Sequence, residues 1–208
     1  MKRACGLIAI LLFVGASAAI AQDKGDIAGT AHDFSQRGWN GTGEICVVCH
    51  TPHFALAATD GPLWNHESTT ATYDLYTSPT LDATLTQPGT ESKTCLSCHD
   101  GTVALDAFGG QTGTNNIGAQ WNVGTDLSDD HPVGFDYNTT LATADGELAD
   151  PSTKASGLGG TIASDMLFTD GALECASCHD VHGAGGNDKL LLIANTGSDL
   201  CLTCHSGT

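Results

Sequence analysis

Cys46-Val47-Val48-Cys49-His50 sets two thiols three positions apart, with a histidine directly after the second. The chain repeats this arrangement at Cys95-Leu96-Ser97-Cys98-His99, Cys175-Ala176-Ser177-Cys178-His179 and Cys201-Leu202-Thr203-Cys204-His205. Positions i, i+3 and i+4 share one face of a helical turn. Two sulfurs on that face can reach both vinyl groups on one edge of a porphyrin. The histidine is then left beneath the iron as proximal ligand. C-x-x-C-H is accordingly the attachment signature of c-type haem. A lone C-x-x-C pair also suits half a zinc site or a redox disulfide. Zinc ribbons do not need the histidine, however, and thioredoxin-like pairs do not come in fours. Histidine makes up 9 of 208 residues, so chance does not explain one after every pair. The motifs predict four c-type haems (haem c, iron), bound covalently at Cys46, Cys49, Cys95, Cys98, Cys175, Cys178, Cys201 and Cys204. Their proximal ligands are His50, His99, His179 and His205. No residue is assigned a catalytic role.

An electron-transfer haem asks for a sixth ligand. Five histidines remain: His32, His53, His66, His131 and His182. Four are needed, so every iron can have two histidines with one to spare. His53 and His182 each follow a proximal histidine by three residues. A side chain there cannot pass round its own porphyrin to the far face. Each is therefore expected to serve a different haem and to bring two haems into near contact. His131 and His32 complete the expected distal set, and His66 is the fifth candidate. Asp33 is a candidate acceptor for orienting the His32 ring. Beyond Met1 the only methionine is Met166, so at most one haem could be His/Met. Methionine ligation raises potential, so the set should sit low.

The elements that must position these residues are weakly written. Residues 22–45 read as a polar, Gly-rich arm or loop. Residues 46–66 hold the first motif, with Trp64 expected against a haem. The Thr-rich stretch 67–94, with Tyr73 and Tyr76, predicts a short strand. In 95–108 the second motif precedes a short helix expected over Val103-Ala104-Leu105. Residues 109–170, with Trp121 and His131, read as ordered loops with short helical or strand pieces. Residues 171–208 hold the last two motifs, separated by an apolar segment, Lys189-Leu190-Leu191-Leu192-Ile193, expected to be buried. Large apolar residues are sparse and glycines number 26. Such a composition builds a poor core. Four flat apolar rings can supply one, and the chain without haem is expected to be largely unfolded. The predicted fold class is a haem-cored multihaem cytochrome c, loop-rich with short α-helices and little β.

The chain opens with Met1-Lys2-Arg3, an apolar run from Leu7 to Ala19, and Ala19-Ile20-Ala21. These are the three regions of a secretory signal, and the apolar run is too short to span a bilayer. Cleavage after Ala21 makes residues 1–21 a signal peptide and 22–208 a single tetrahaem domain. Of the 9 cysteines only Cys5 lies in the signal, leaving none for a structural disulfide. Loss of Lys2 and Arg3 takes the net charge from −17 to −19. That excess argues against nucleic acid and anionic membranes as partners. It serves solubility or attracts cations, metal ions included. Export is expected, to the cell surface and extracellular space or to the periplasm, with no membrane insertion.

His32-Asp33-Phe34, Cys49-His50-Thr51-Pro52-His53, Pro62-Leu63-Trp64-Asn65, Cys98-His99-Asp100-Gly101-Thr102, His131-Pro132-Val133-Gly134 and Cys178-His179-Asp180-Val181-His182 resemble the paired-CxxCH multihaem cytochromes. Within these, the chain looks like the OmcE-type tetrahaem cytochromes, which polymerise into extracellular filaments (nanowires). The resemblance spans residues 32–205. It implies haems stacked in a continuous chain, all bis-histidine, with one distal histidine supplied by the neighbouring subunit. It also implies a head-to-tail homopolymer, redox partner cytochromes, and extracellular acceptors such as metal oxides. His32 or His66 could fill the bridging role.

The leading expectation is thus an electron-transfer protein, not an enzyme, that assembles into a haem wire. The alternative is a monomeric periplasmic electron shuttle. A reductase of nitrite or hydroxylamine type would need an open iron. The histidine count forces none, and no C-x-x-C-K variant marks a special haem.

Overall fold

The longest helix is built around the second motif. In the computed structural model, which describes residues 27–55, 63–168, 170–183 and 185–206, α1 runs over Thr90–His99. The predicted signal peptide lies outside the described residues. Helix α1 carries Cys95, Cys98 and His99 on its last turns and ends at Asp100. The helix thus precedes and includes the motif. The short helix expected over Val103-Ala104-Leu105 is absent, and that stretch is turn and bend. The Asp100 side chain closes the end of α1 by accepting from the Thr102 backbone N–H and hydroxyl, both at 2.7 Å. A helix ending in such a turn does not continue past it.

Strands are two residues long. Strand β1 (Asp74–Leu75) pairs in parallel with β2 (Asp126–Leu127), and β3 (Phe135–Asp136) pairs antiparallel with β4 (Ala172–Leu173). Three short helices follow α1: α2 (Thr139–Asp145), α3 (Ile162–Asp165) and α4 (Asp199–Cys204). Helix α2 starts at Asn138, whose side chain accepts from the Leu141 N–H, and stops at Gly146, a left-handed residue. Thr161 and Ser164 cap α3 reciprocally. These are side-chain solutions to the unpaired groups of helix ends. They let such short pieces form where propensity alone would not hold them.

The described residues 109–168 form loops with short helical and strand pieces, and they supply most of an apolar cluster. Tyr137, Leu141, Ala142, Ile162, Met166 and Leu173 pack together there. Ile162 is wholly buried. A smaller cluster joins Tyr73, Leu96 and Leu127. The chain therefore has two modest cores of its own, more than its composition promised. Met166 belongs to the first of them. Lys189–Ile193 departs from expectation: Lys189 is exposed and the four apolar residues are only half-buried. Among the described residues no helix is long and apolar enough to cross a membrane. The architecture is loop-rich, with few short helices and little sheet, consistent with a multihaem cytochrome.

Candidate functional site

Each motif forms one helical turn. The histidine N–H bonds back to the first cysteine's carbonyl at 2.8 Å for His50, 3.2 Å for His179 and 2.9 Å for His205. The fourth instance lies within α1. The i, i+3, i+4 spacing thus puts both thiols and the imidazole on one face. A second segment clips the backbone of each motif. Around His50, the Asn65 N–H donates to the Cys49 carbonyl and the Thr51 N–H to that of Leu63, both at 2.9 Å. Around His179, the Leu192 N–H donates to Cys178 at 2.9 Å and the Asp180 N–H to Leu190 at 2.7 Å. Around His205, the Ala149 N–H donates to Cys204 and the Ser206 N–H to Glu147, both at 2.8 Å. His99 is held differently, its carbonyl accepting from the Val123 N–H at 2.8 Å.

The ring nitrogens are oriented as well. His99 Nδ1 meets the Trp121 carbonyl at 2.8 Å, His179 Nδ1 that of Lys189 at 3.0 Å, and His131 Nδ1 that of Pro132 at 2.9 Å. His182 Nδ1 lies 3.3 Å from Asp180 Oδ1. A proton held on Nδ1 leaves Nε2 with its lone pair free, the form in which imidazole binds a metal. Asp33 does not play the part expected of it. Its carboxylate accepts from the Gly29 and Ser35 backbone and the Ser35 hydroxyl, closing its own turn.

Three pairs of imidazoles lie close together, one stacked, one tilted at 44° and one edge-on at 75°. His50 and His182 have ring centroids 6.3 Å apart and planes inclined by 12°. His32 and His99 are 6.1 Å apart, and His131 and His205 are 6.4 Å apart. Two imidazoles on opposite sides of one iron, with metal–nitrogen bonds of about 2 Å, would place their centroids about 6 Å apart. Each pair joins one proximal histidine to one spare histidine from another part of the chain. His182 stacks against His50, the proximal candidate of a different motif. His32 is held well below its ordinary pKa, to about 4, by burial first and then by the nearby charges of His99, His179 and His182. A ring that resists protonation in this way keeps its lone pair.

The remaining histidines divide sharply. His66 is wholly buried, with Nδ1 2.8 Å from the Glu67 carbonyl and Nε2 3.0 Å from that of Ala104. A neutral ring donates to only one of these carbonyls, and the Cys98 thiol lies 3.6 Å from Nε2. His53 is exposed, beside Phe54 at 99% exposure, and no described residue contacts its ring. His179 is exposed too, and among the described residues its ring forms no ring pair, although its charge acts on His32.

The residues fit covalent haem. All eight cysteines of the motifs are free. Burial pushes the Cys49 and Cys178 thiols up to about 11 and Cys98 to about 12, which is unsuited to the thiolate chemistry of redox pairs. The Cys95 thiol donates to the Glu91 carbonyl at 3.6 Å, and its proximity to Cys175 raises the Cys95 thiol and lowers the Cys175 thiol. Two buried polar side-chain atoms lack a partner among the described residues, His32 Nδ1 and Trp64 Nε1. Both belong to rings beside motif imidazoles, Trp64 lying 6.0 Å from His50. A bound group with acceptor oxygens would take the Trp64 N–H. Haem at these sites would supply reversible one-electron chemistry, and the protein would supply ligands, orientation and spacing.

Sequence reasoning missed a clamp between two of the motifs. The buried Glu174 carboxylate accepts from the Gly89 N–H at 3.1 Å and from the Ser92 hydroxyl. The Ser92 hydroxyl in turn accepts from the Cys175 N–H at 2.9 Å. A Cβ at position 89 would collide with the Glu174 carboxylate, so glycine is required there. Burial raises the Glu174 carboxyl above its ordinary value, against the lowering from Ser92 and Gly89. Gly89 and Glu174 are 85 residues apart, and no local pattern announces the contact.

Residues 167–208 match the family model described as the doubled CXXCH motif. The match covers the last two motifs and supports a multihaem c-type cytochrome with covalently bound haem. No curated protein matches the chain.

Proposed function

We propose that the protein is an exported electron carrier with four covalent haems. Every iron is held by two histidines, and copies assemble head-to-tail into a filament conducting electrons to extracellular acceptors. Within one chain the ligand pairs are His50 with His182, His99 with His32, and His205 with His131. The fourth iron, under His179, takes His53 of the next copy. The observation that carries this reading is the imbalance at His179 and His53. Three imidazole pairs are formed within the described residues, while one exposed proximal histidine and one exposed spare histidine remain. Chains that each offer one ligand and lack one can satisfy each other in a closed pair, a ring or an open series, and the resemblance to filament-forming cytochromes favours the series. The bridging role expected for His32 or His66 passes in this reading to His53, because His32 lies beside His99 and His66 is wholly buried. An electron carrier fits better than a reductase, since the assembly leaves no iron open to substrate.

Negative-stain microscopy of the purified holoprotein tests the assembly. Filaments are expected for the natural chain and discrete particles for His53→Ala with four haems still attached. Discrete particles from the natural chain would favour a monomeric shuttle. Intact His53→Ala filaments would move the bridging role elsewhere.

A further inference from the structure

Lys189 and Trp121 do two things each. Their carbonyls accept the Nδ1 protons of His179 and His99, at 3.0 and 2.8 Å. Their side chains meet each other, with Lys189 Nζ 5.2 Å from the Trp121 ring centroid. That separation is within range of a cation–π contact, in which the ring quadrupole attracts the ammonium. The contact is an unusual choice of partner, since carboxylates outnumber basic residues by 24 to 7.

The backbone points the same way. Lys189 is left-handed, at φ 58° and ψ 20°, and Leu190 follows at φ 57°. Side chains with a Cβ rarely adopt this conformation. Nearby Gly183 and Gly186 take such angles with no steric cost. A glycine at 189 would present the same carbonyl to His179 with less strain. What a glycine would lose is the ammonium over Trp121.

We propose that Lys189 and Trp121 form a strut that fixes the imidazole planes of His99 and His179 relative to each other. Neither residue binds iron; both are positioning residues acting through the proximal ligands. The plane of an axial imidazole governs how unpaired spin spreads over the porphyrin, and outer-shell hydrogen bonds tune the ligand's basicity. The strut therefore ties the electronic states of the second and third haems together. The two motifs are already joined by the Cys175 N–H donating to the Ser92 hydroxyl at 2.9 Å and by the Gly89 N–H donating to Glu174 at 3.1 Å. The inference rests on the covalent-haem reading and adds a link between two haems that attachment alone does not supply.

Proton NMR of the oxidised holoprotein tests it, since haem methyl shifts report imidazole orientation. The variants are Lys189→Ala, Trp121→Leu and Lys189→Arg. Both side chains are exposed, and haem content by pyridine haemochromogen verifies that each variant is loaded. In Lys189→Ala the methyl sets of two haems should move, and Trp121→Leu should move the same two. The double variant should shift them no further than either single change. Lys189→Arg, which keeps a cation for the ring, should restore the natural positions. Movement of one set only in Lys189→Ala, a different set in Trp121→Leu, all four sets, or none would overturn the strut. A natural protein without covalent haem would instead refute the reading beneath it.

Discussion

A histidine binds iron through one ring nitrogen, so what its other atoms touch decides whether it can serve. His66 is wholly buried with a carbonyl beside each ring nitrogen, and among the described residues no second imidazole packs against it. His66→Ala should therefore leave the low-spin spectrum of all four haems unchanged. It should lower stability by about 2–4 kcal/mol, read by denaturant titration, because it leaves a cavity and a buried carbonyl without its donor. His32→Ala should do the reverse. It should convert one haem to a high-spin, carbon monoxide-binding form while assembly persists. The sequence exposed the nine histidines and the four that follow cysteine pairs. It could not say which spare ring meets which proximal ring, because that depends on folding between distant segments. His53 and His182 stand at the same spacing, yet among the described residues only His182 packs on a proximal imidazole.

The elements here are short, and what holds them is contact between segments far apart. Helix α1 has no side-chain cap of its own, and Glu174 supplies one from the third motif. Glu174→Ala should cost about 2–3 kcal/mol, measured by denaturation of the holoprotein, through unpaired donors at the helix start. Glu174→Gln should recover most of that, since its amide oxygen still accepts. The loop that leads into α3 offers a test with pH. The Ser156 hydroxyl, against some burial, and then Ser164 and the Gly160 N–H hold the Asp165 carboxyl below its ordinary value of 3.8. A depressed carboxyl stabilises the fold fully above the unfolded value. That contribution is lost as pH falls through the folded one. Stability should thus fall below about pH 4, and Asp165→Asn should flatten that part of the curve. The loop-rich class and the strand in 67–94 were readable from composition and turn residues. The clips at Trp64, Val123, Leu191 and Leu148 were not, since bridges this short carry no periodic signal.

At the scale of the molecule, the sequence foresaw a chain too poor in apolar residues to fold well without cofactor. The structure adds an apolar cluster around Ile162, and Ile162→Ala should cost about 2–4 kcal/mol there. That cluster lies between the third motif and the last, with Leu173 inside it and Cys204 packed against it. The motifs are thus spread over a chain whose own packing fixes their separations. The central claim is that one ligand per chain comes from a neighbour, and carbon monoxide titration of the reduced protein addresses it directly. The natural assembly should bind none. His53→Ala, with four haems attached, should bind one per chain. No binding by His53→Ala, or binding by the natural assembly at one site per chain, would contradict the account.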